Sequence, residues 1–163
     1  MSERYCAWIR IGGRIAKPNL QILMQEIRQS SVMLNWGEPL FEPKDADELL
    51  NARKDGWLWL CDEQARYGEF PELEETCRKL VLAYQRYCEA WCGYDAEIVD
   101  WRPGMTEPLI RTCSNEDSEI VLVDWATVRD ALTAIEAGRS NDAIAQLWSL
   151  CPRLPELPPF EIV

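Results

Sequence analysis

Hydrophobic and polar positions alternate at the start of the chain. Tyr5, Ala7, Ile9 and Ile11 fall on one side, with Cys6, Trp8 and Arg10 on the other. That is the two-residue period of a half-buried strand, which Gly12-Gly13 ends or bulges. The period then lengthens. Pro18 suits a first helical position, and Leu20, Leu23, Met24 and Ile27 form an apolar stripe at helix spacing. Val32, Leu34 and Trp36 predict a second strand ended by Gly37 and Pro39. Asp45, with Glu48 three residues later, resembles a capping box and opens a short helix closing at Gly56. "GWLWLCDEQARYGEF" follows as a strand from Trp57 to about Tyr67.

Phe70-Pro71 starts the next helix. Glu72, Glu74 and Glu75 lie in its first turn, where the helix dipole favours anions. Glu74 and Glu75 are each placed to pair with Arg78 and Lys79, four residues on. Leu73, Cys77, Leu80, Tyr84, Tyr87 and Trp91 recur at helical spacing, so we read one helix to Gly93. The alternative is a break near Val81 with "AYQRYCEAW" as a strand. Beyond Gly93, "DAEIVDW" and "EPLIRTC" read as strands around the turn "RPGMT". "SNEDS" is a second turn, and "EIVLVDW" a further strand. Asp124 caps a helix with Trp125, Val128, Leu132 and Ile135 on one face; Gly138 ends it. Ser140 caps a last helix carrying Ile144, Leu147 and Trp148. Residues 152–163 form a proline-rich tail whose Phe160 and Ile162 are available to dock on the body.

These elements predict one α+β domain over residues 1–163, with a mixed or largely antiparallel sheet and a C-terminal helical hairpin. If residues 83–91 form a strand, the first half has the β-α-β-β-α-β order of a ferredoxin-like arrangement.

Composition narrows the function. The chain has 163 residues, 47% hydrophobic and 28% charged, a globular balance. No apolar run approaches the roughly 20 residues of a membrane helix, and the N-terminus lacks a signal core of about 7–15 apolar residues. The expectation is a cytoplasmic protein without a membrane partner. Seven cysteines at irregular spacing then read as free thiols. Cys88-x-x-x-Cys92 is not a zinc or redox spacing. There is no histidine, which removes Ser-His and Cys-His catalysis and His-ligated zinc. No cofactor is predicted. An enzyme would depend on carboxylates or thiols, as glycosidase-like chemistry does.

The net charge of −11 is uneven. Residues 42–75 hold eleven acids and four bases, and residues 89–124 hold nine acids and two bases. Such a field repels phosphate backbones, so direct nucleic-acid binding is not expected. It attracts basic protein partners.

Candidate chemistry is sparse. Asp62 and Glu63 point to opposite faces of a strand, so they cannot form a facing pair unless it bulges. If Trp57, Trp59 and Cys61 face the core, Glu63 follows them and Asp62 shares the face of Leu58 and Leu60. With Glu69 these acids read as solvated strand ends, as a docking surface or as catalytic groups. Gly12, Gly13, Arg14 and Lys17, ahead of the helix at Pro18, are the one candidate anion site; a glycine bulge with surface cations explains the same letters. Trp101 and Arg102 precede Pro103-Gly104, either as exposed interface anchors or as a turn with Trp101 packed inward. Glu116, Asp117 and Glu119 offer oxygen ligands but lack the calcium-loop pattern, so no metal is predicted.

"YDAEIVDWRPGM" and "LPPFEIV" resemble segments of small uncharacterised proteins encoded on bacterial mobile elements, a resemblance that transfers no functional residue. The leading expectation is a non-enzymatic acidic binding protein. Inhibitors of nucleic-acid-handling proteins fit it: immunity, antirestriction and anti-CRISPR types. The alternatives are a small-ligand binder or enzyme using carboxylates or thiols, and a structural partner in an oligomer.

Overall fold

The computed structural model describes residues 3–90, 93–116, 118, 120–150 and 152–163. The first strand, β1 (Arg4–Ile15), runs straight through Gly12-Gly13. A 3-10 turn at Lys17–Asn19 leads into α1 (Leu20–Gln29), whose expected stripe of Leu20, Leu23, Met24 and Ile27 is buried. Next come α2 (Ala46–Asn51), β2 (Arg53–Lys54), β3 (Trp57–Arg66), α3 (Pro71–Lys79) and β4 (Ala83–Cys88). The chain finishes with β5 (Ala96–Trp101), β6 (Leu109–Cys113), α4 (Trp125–Glu136), α5 (Ser140–Leu150) and β7 (Phe160–Ile162).

The strands order as β2-β3-β1-β4-β5-β6, all antiparallel; β7 adds parallel to the end of β1. This is an α+β fold in one domain. Because β1 lies between β3 and β4, β3-α3-β4 is a split unit. With β2 beyond β3, the first half has ferredoxin-like order. The register puts Ile9, Leu60 and Arg86 on one face, with Ile11, Leu58 and Tyr84 beside them. This face packs on α1 and α3 to form the main core. Trp8, Arg10, Trp57 and Gln85 lie on the other face. Leu58 and Leu60 are thus the inward pair of β3, while Trp57 and Trp59 are only half-buried.

The helix expected from Phe70 to Gly93 is overturned. It stops at Lys79, and the residues from Ala83 to Cys88 pair with β1 and β5. The stop is a Schellman cap: Val81 N–H donates to Arg78 O (3.1 Å) and Leu82 N–H to Cys77 O (2.8 Å). Val81 supplies the left-handed position, at φ 58°, that glycine usually fills. Trp91 of the expected stripe lies outside the described residues.

Three other expectations change. Val32, Leu34 and Trp36 make no strand; Met33 alone bridges Leu40 and Cys61, just after a left-handed Ser31. Of the strand expected at 119–125, the described residues from Ile120 on form one bridge, Val121 to Cys113, with Ile120, Leu122 and Val123 exposed. The helix after Asp45 ends at Asn51, not Gly56, because Asp55 (φ 51°) and Gly56 (φ 91°) turn a β2–β3 hairpin. Both aspartate caps form: Asp45 accepts from Glu48 N–H (2.9 Å) and Asp124 from Thr127 N–H (3.1 Å).

Beneath α3, Arg86 is a buried charge. Its Nε lies 2.9 Å from Glu74 Oε1, close but not aligned as a hydrogen bond. Its Nη2 meets Glu97 (2.9 Å) and its Nη1 donates to Gly68 O (2.8 Å). Glu74 therefore turns inward and does not pair with Arg78; Glu75 takes both Arg78 (2.8 Å) and Lys79 (3.4 Å).

No helix among the described residues is long and apolar enough to cross a membrane.

Candidate functional site

The register brings the N-terminal ends of β1 and β5 and the C-terminal ends of β3 and β4 together at one end of the sheet. A bulge shapes this end. Tyr5 pairs with Ala65 and Ala7 with Asp62, so Cys6 alone faces Glu63 and Gln64. Asp62 precedes the bulge and so keeps the core face of Leu58 and Leu60, half-buried. Burial pushes its carboxyl up, against the pull of the Gln64 N–H (2.8 Å) and Arg4. Glu63 is exposed. The two acids do not form a facing pair.

At this end a hollow of about 250 Å³ gathers Glu3, Glu69, Glu89, Asp95 and Glu97 around Tyr5, Tyr67 and Tyr94. Tyr67 is 49% exposed and Tyr94 66%. Arg86 pairs with Glu97, and the Tyr5 hydroxyl donates to Glu3. That hydrogen bond, then burial, pushes the Tyr5 phenol up to about 12. Glu69, Glu89 and Asp95 form no ion pair among the described residues. A contiguous hollow of about 240 Å³, sharing Tyr5 and Glu89, holds Glu63, Arg4 and Cys6.

Glu63 and Glu69 thus border one acidic surface, and Asp62 lines neither hollow. Sequence reasoning missed Glu3, Glu89, Asp95, Tyr5 and Tyr94; the available signal was acids at several predicted strand ends. Charge runs alone mislead here. Asp45, Asp47 and Glu48 share the 42–75 segment, yet they belong to α2, which packs by β7 at the other end of the sheet.

Trp101 and Arg102 are not exposed anchors; both are buried. Trp101 stacks on Tyr84 (centroids 6.1 Å apart), and Arg102 O accepts from Met105 N–H (3.0 Å) across a turn with Gly104 at φ 96°. Arg102 donates to Tyr84 O (2.9 Å), Trp101 O (3.0 Å) and Pro155 O (3.0 Å) and pairs with Asp100 (3.0 Å). It clamps the tail.

The expected anion site at Gly12, Gly13, Arg14 and Lys17 is filled by the same tail. Gly13 N–H donates to Pro159 O (3.0 Å) and Lys17 N–H to Val163 O (2.9 Å), while Arg14 pairs with Glu161 (3.6 Å). A Cβ on Gly12 would stand 1.9 Å from Pro158 O, so this glycine serves the close approach of the tail. Phe160 is fully buried beneath that seam.

The described thiols are poor nucleophiles. Burial pushes Cys88 up to about 11 and Cys61 to about 12, and raises Cys6, Cys77 and Cys113. All five are free; Cys92 and Cys151 lie outside the described residues. Among the described residues no group of three or more His, Cys, Asp or Glu is placed to hold a metal. Asp117 and Glu119, the expected companions of Glu116, fall outside them.

No family model matches the chain, and no curated protein or solved structure matches it.

Proposed function

We propose that the chain is a non-enzymatic binding protein whose acidic, tyrosine-lined sheet end receives lysine or arginine side chains of a basic protein. One observation carries this reading: Glu69, Glu89 and Asp95, unpaired among the described residues, surround a hollow walled by Tyr67 and Tyr94. Carboxylates offer charge-assisted hydrogen bonds to an incoming cation. Tyrosine faces add cation–π attraction, as the Arg66 guanidinium 5.4 Å from the Tyr67 ring illustrates. The net charge of −11 steers such a partner and repels nucleic acid. Basic faces of nucleic-acid-handling proteins have the matching chemistry, so an inhibitor of immunity, antirestriction or anti-CRISPR type is the functional class.

The test begins with capture from bacterial lysate, with and without nuclease and at two salt concentrations. Binding is then measured with the purified partner. Glu69→Lys/Asp95→Lys is compared with a charge-matched control, Glu42→Lys/Asp47→Lys, whose residues line neither hollow. The expected result is a basic partner whose affinity falls at least about tenfold, roughly 1.4 kcal/mol, only in the first variant. Equal losses in both would reduce the reading to bulk charge, and no loss in the first would remove this surface from it.

A further inference from the structure

On the sheet face turned away from α1 and α3 lies a cavity of about 540 Å³ with the opposite chemistry. Arg10, Gln85 and Arg111 enter it from β1, β4 and β6, Trp57 from β3, and Leu157 and Glu156 of the tail close one side. Three of its lining residues are tied to Asp100, which is 1% exposed. Asp100 accepts from Gln85 (3.1 Å), Arg102 (3.0 Å) and Arg111. One carboxylate therefore serves two guanidinium groups.

The two guanidinium groups differ in how well they are satisfied. Arg102 spends its other donors on backbone carbonyls. Arg111 keeps a buried Nε–H with no acceptor among the described residues. Arg10 sits between indoles, its guanidinium 4.6 Å from the Trp8 ring centroid and 5.7 Å from that of Trp57, with no carboxylate partner among the described residues. The chain has 28 acids against 17 bases, so an arginine such as Arg10, with no carboxylate partner among the described residues, beside an open cavity is against the run of its charge. Arg10 and Arg111 both line the cavity, and guanidinium groups form charge-assisted hydrogen bonds with an anion entering from solvent.

We infer that this cavity binds a small organic anion, a phosphate or carboxylate carried on a planar ring. Arg10 and Arg111 take the anionic group, and Gln85 donates alongside them. The ring lies against Trp57 and the apolar wall of Ile98, Val121 and Leu157. The volume fits a ligand of that size, within the about 300–1,000 Å³ of small-molecule sites. Glu156 at the rim disfavours a second anionic group there. This site is independent of the acidic end and stands or falls apart from it.

Isothermal titration of the full chain tests it with AMP, 2-naphthoate, inorganic phosphate and, as the neutral counterpart, adenosine. At least one ring-bearing anion is expected to bind with Kd below about 1 mM, and inorganic phosphate and adenosine at least about tenfold more weakly. Preference for AMP assigns a phosphate ligand, and preference for 2-naphthoate a carboxylate. Arg10→Gln, which removes no buried ion pair, and Arg111→Lys should each weaken binding about tenfold, while Glu69→Lys leaves it unchanged. Should Arg111→Lys fail to fold, Arg10→Gln decides. No binding of either anion at about 10 mM, adenosine binding equally well, or affinity unmoved by Arg10→Gln overturns the inference.

Discussion

The sheet body and the C-terminal helical pair use apolar residues in opposite ways. In the body, Ile9, Ile11, Leu58 and Leu60 are fully buried against α1 and α3, and even Arg86 is enclosed. In the pair, the enclosed residues are Ala131, Ala134 and Ala143, while Trp125 (68%) and Leu132 (50%) stay exposed. Of the face read on α4, Trp125, Leu132 and Ile135 are turned to solvent and Val128 is half-buried, while α4 and α5 meet through the small residues. Apolar periodicity reports that a face exists; only a packed neighbour decides whether it is buried. Neither helix contributes to the two core clusters of the sheet.

The contrast can be broken first at the buried charges. Glu74→Gln leaves Arg86 without its inner partner and should cost about 3–5 kcal/mol, read as a fall in the urea midpoint. Breaking the exposed Arg139–Asp142 pair of the helical hairpin (3.4 Å) with Asp142→Asn should cost under about 1 kcal/mol. If the two losses are equal, the body is no more tightly organised than the pair.

Core truncation gives the next effect. Leu60→Ala should lose about 2–5 kcal/mol, and Leu132→Ala no more than about 0.5 kcal/mol. A large loss at Leu132 would mean that its face is covered in solution, and sedimentation of the same variant would show by what.

A smaller effect of opposite sign is expected at Val81. Val81→Gly relieves a left-handed β-branched residue in an exposed cap and should stabilise by up to about 1 kcal/mol. Hydrogen exchange should then show slower opening of α3 and β4, with α4 and α5 still exchanging faster than β1.

The smallest effect is at Asp62. Burial raises its folded pKa above the unfolded value, so the ionised carboxylate opposes folding at neutral pH. Asp62→Asn should therefore be as stable as wild type or slightly more so at pH 7. As pH falls through the raised pKa towards about 4, wild type gains relative to the variant and the gap closes. A gap that widens in acid would contradict the burial.

Parts of this molecule were legible before it was folded. The period of β1, the stripe of α1 and the caps at Asp45 and Asp124 are local: each depends on residues within a turn or two of chain, and each forms as read. Asp55-Gly56 was an equally local hairpin signal that a helix reading absorbed. The end of α3 was marked only by the residues after Val81, read as the alternative strand, because Val81 carries the left-handed position without a glycine to announce it. Tertiary contact alone decided the rest. Gly12 is a glycine because Pro158 O crosses it, and Arg86 is buried because α3 brings Glu74 over it. Glu3, Glu69, Glu89 and Asp95 meet because four strand ends coincide, although Glu3, Glu69 and the Glu89–Asp95 pair stand tens of residues apart in the chain. Hydrogen bonding and capping act over a few residues and can be read along the chain; burial and charge proximity depend on distance in space, which sequence separation does not measure.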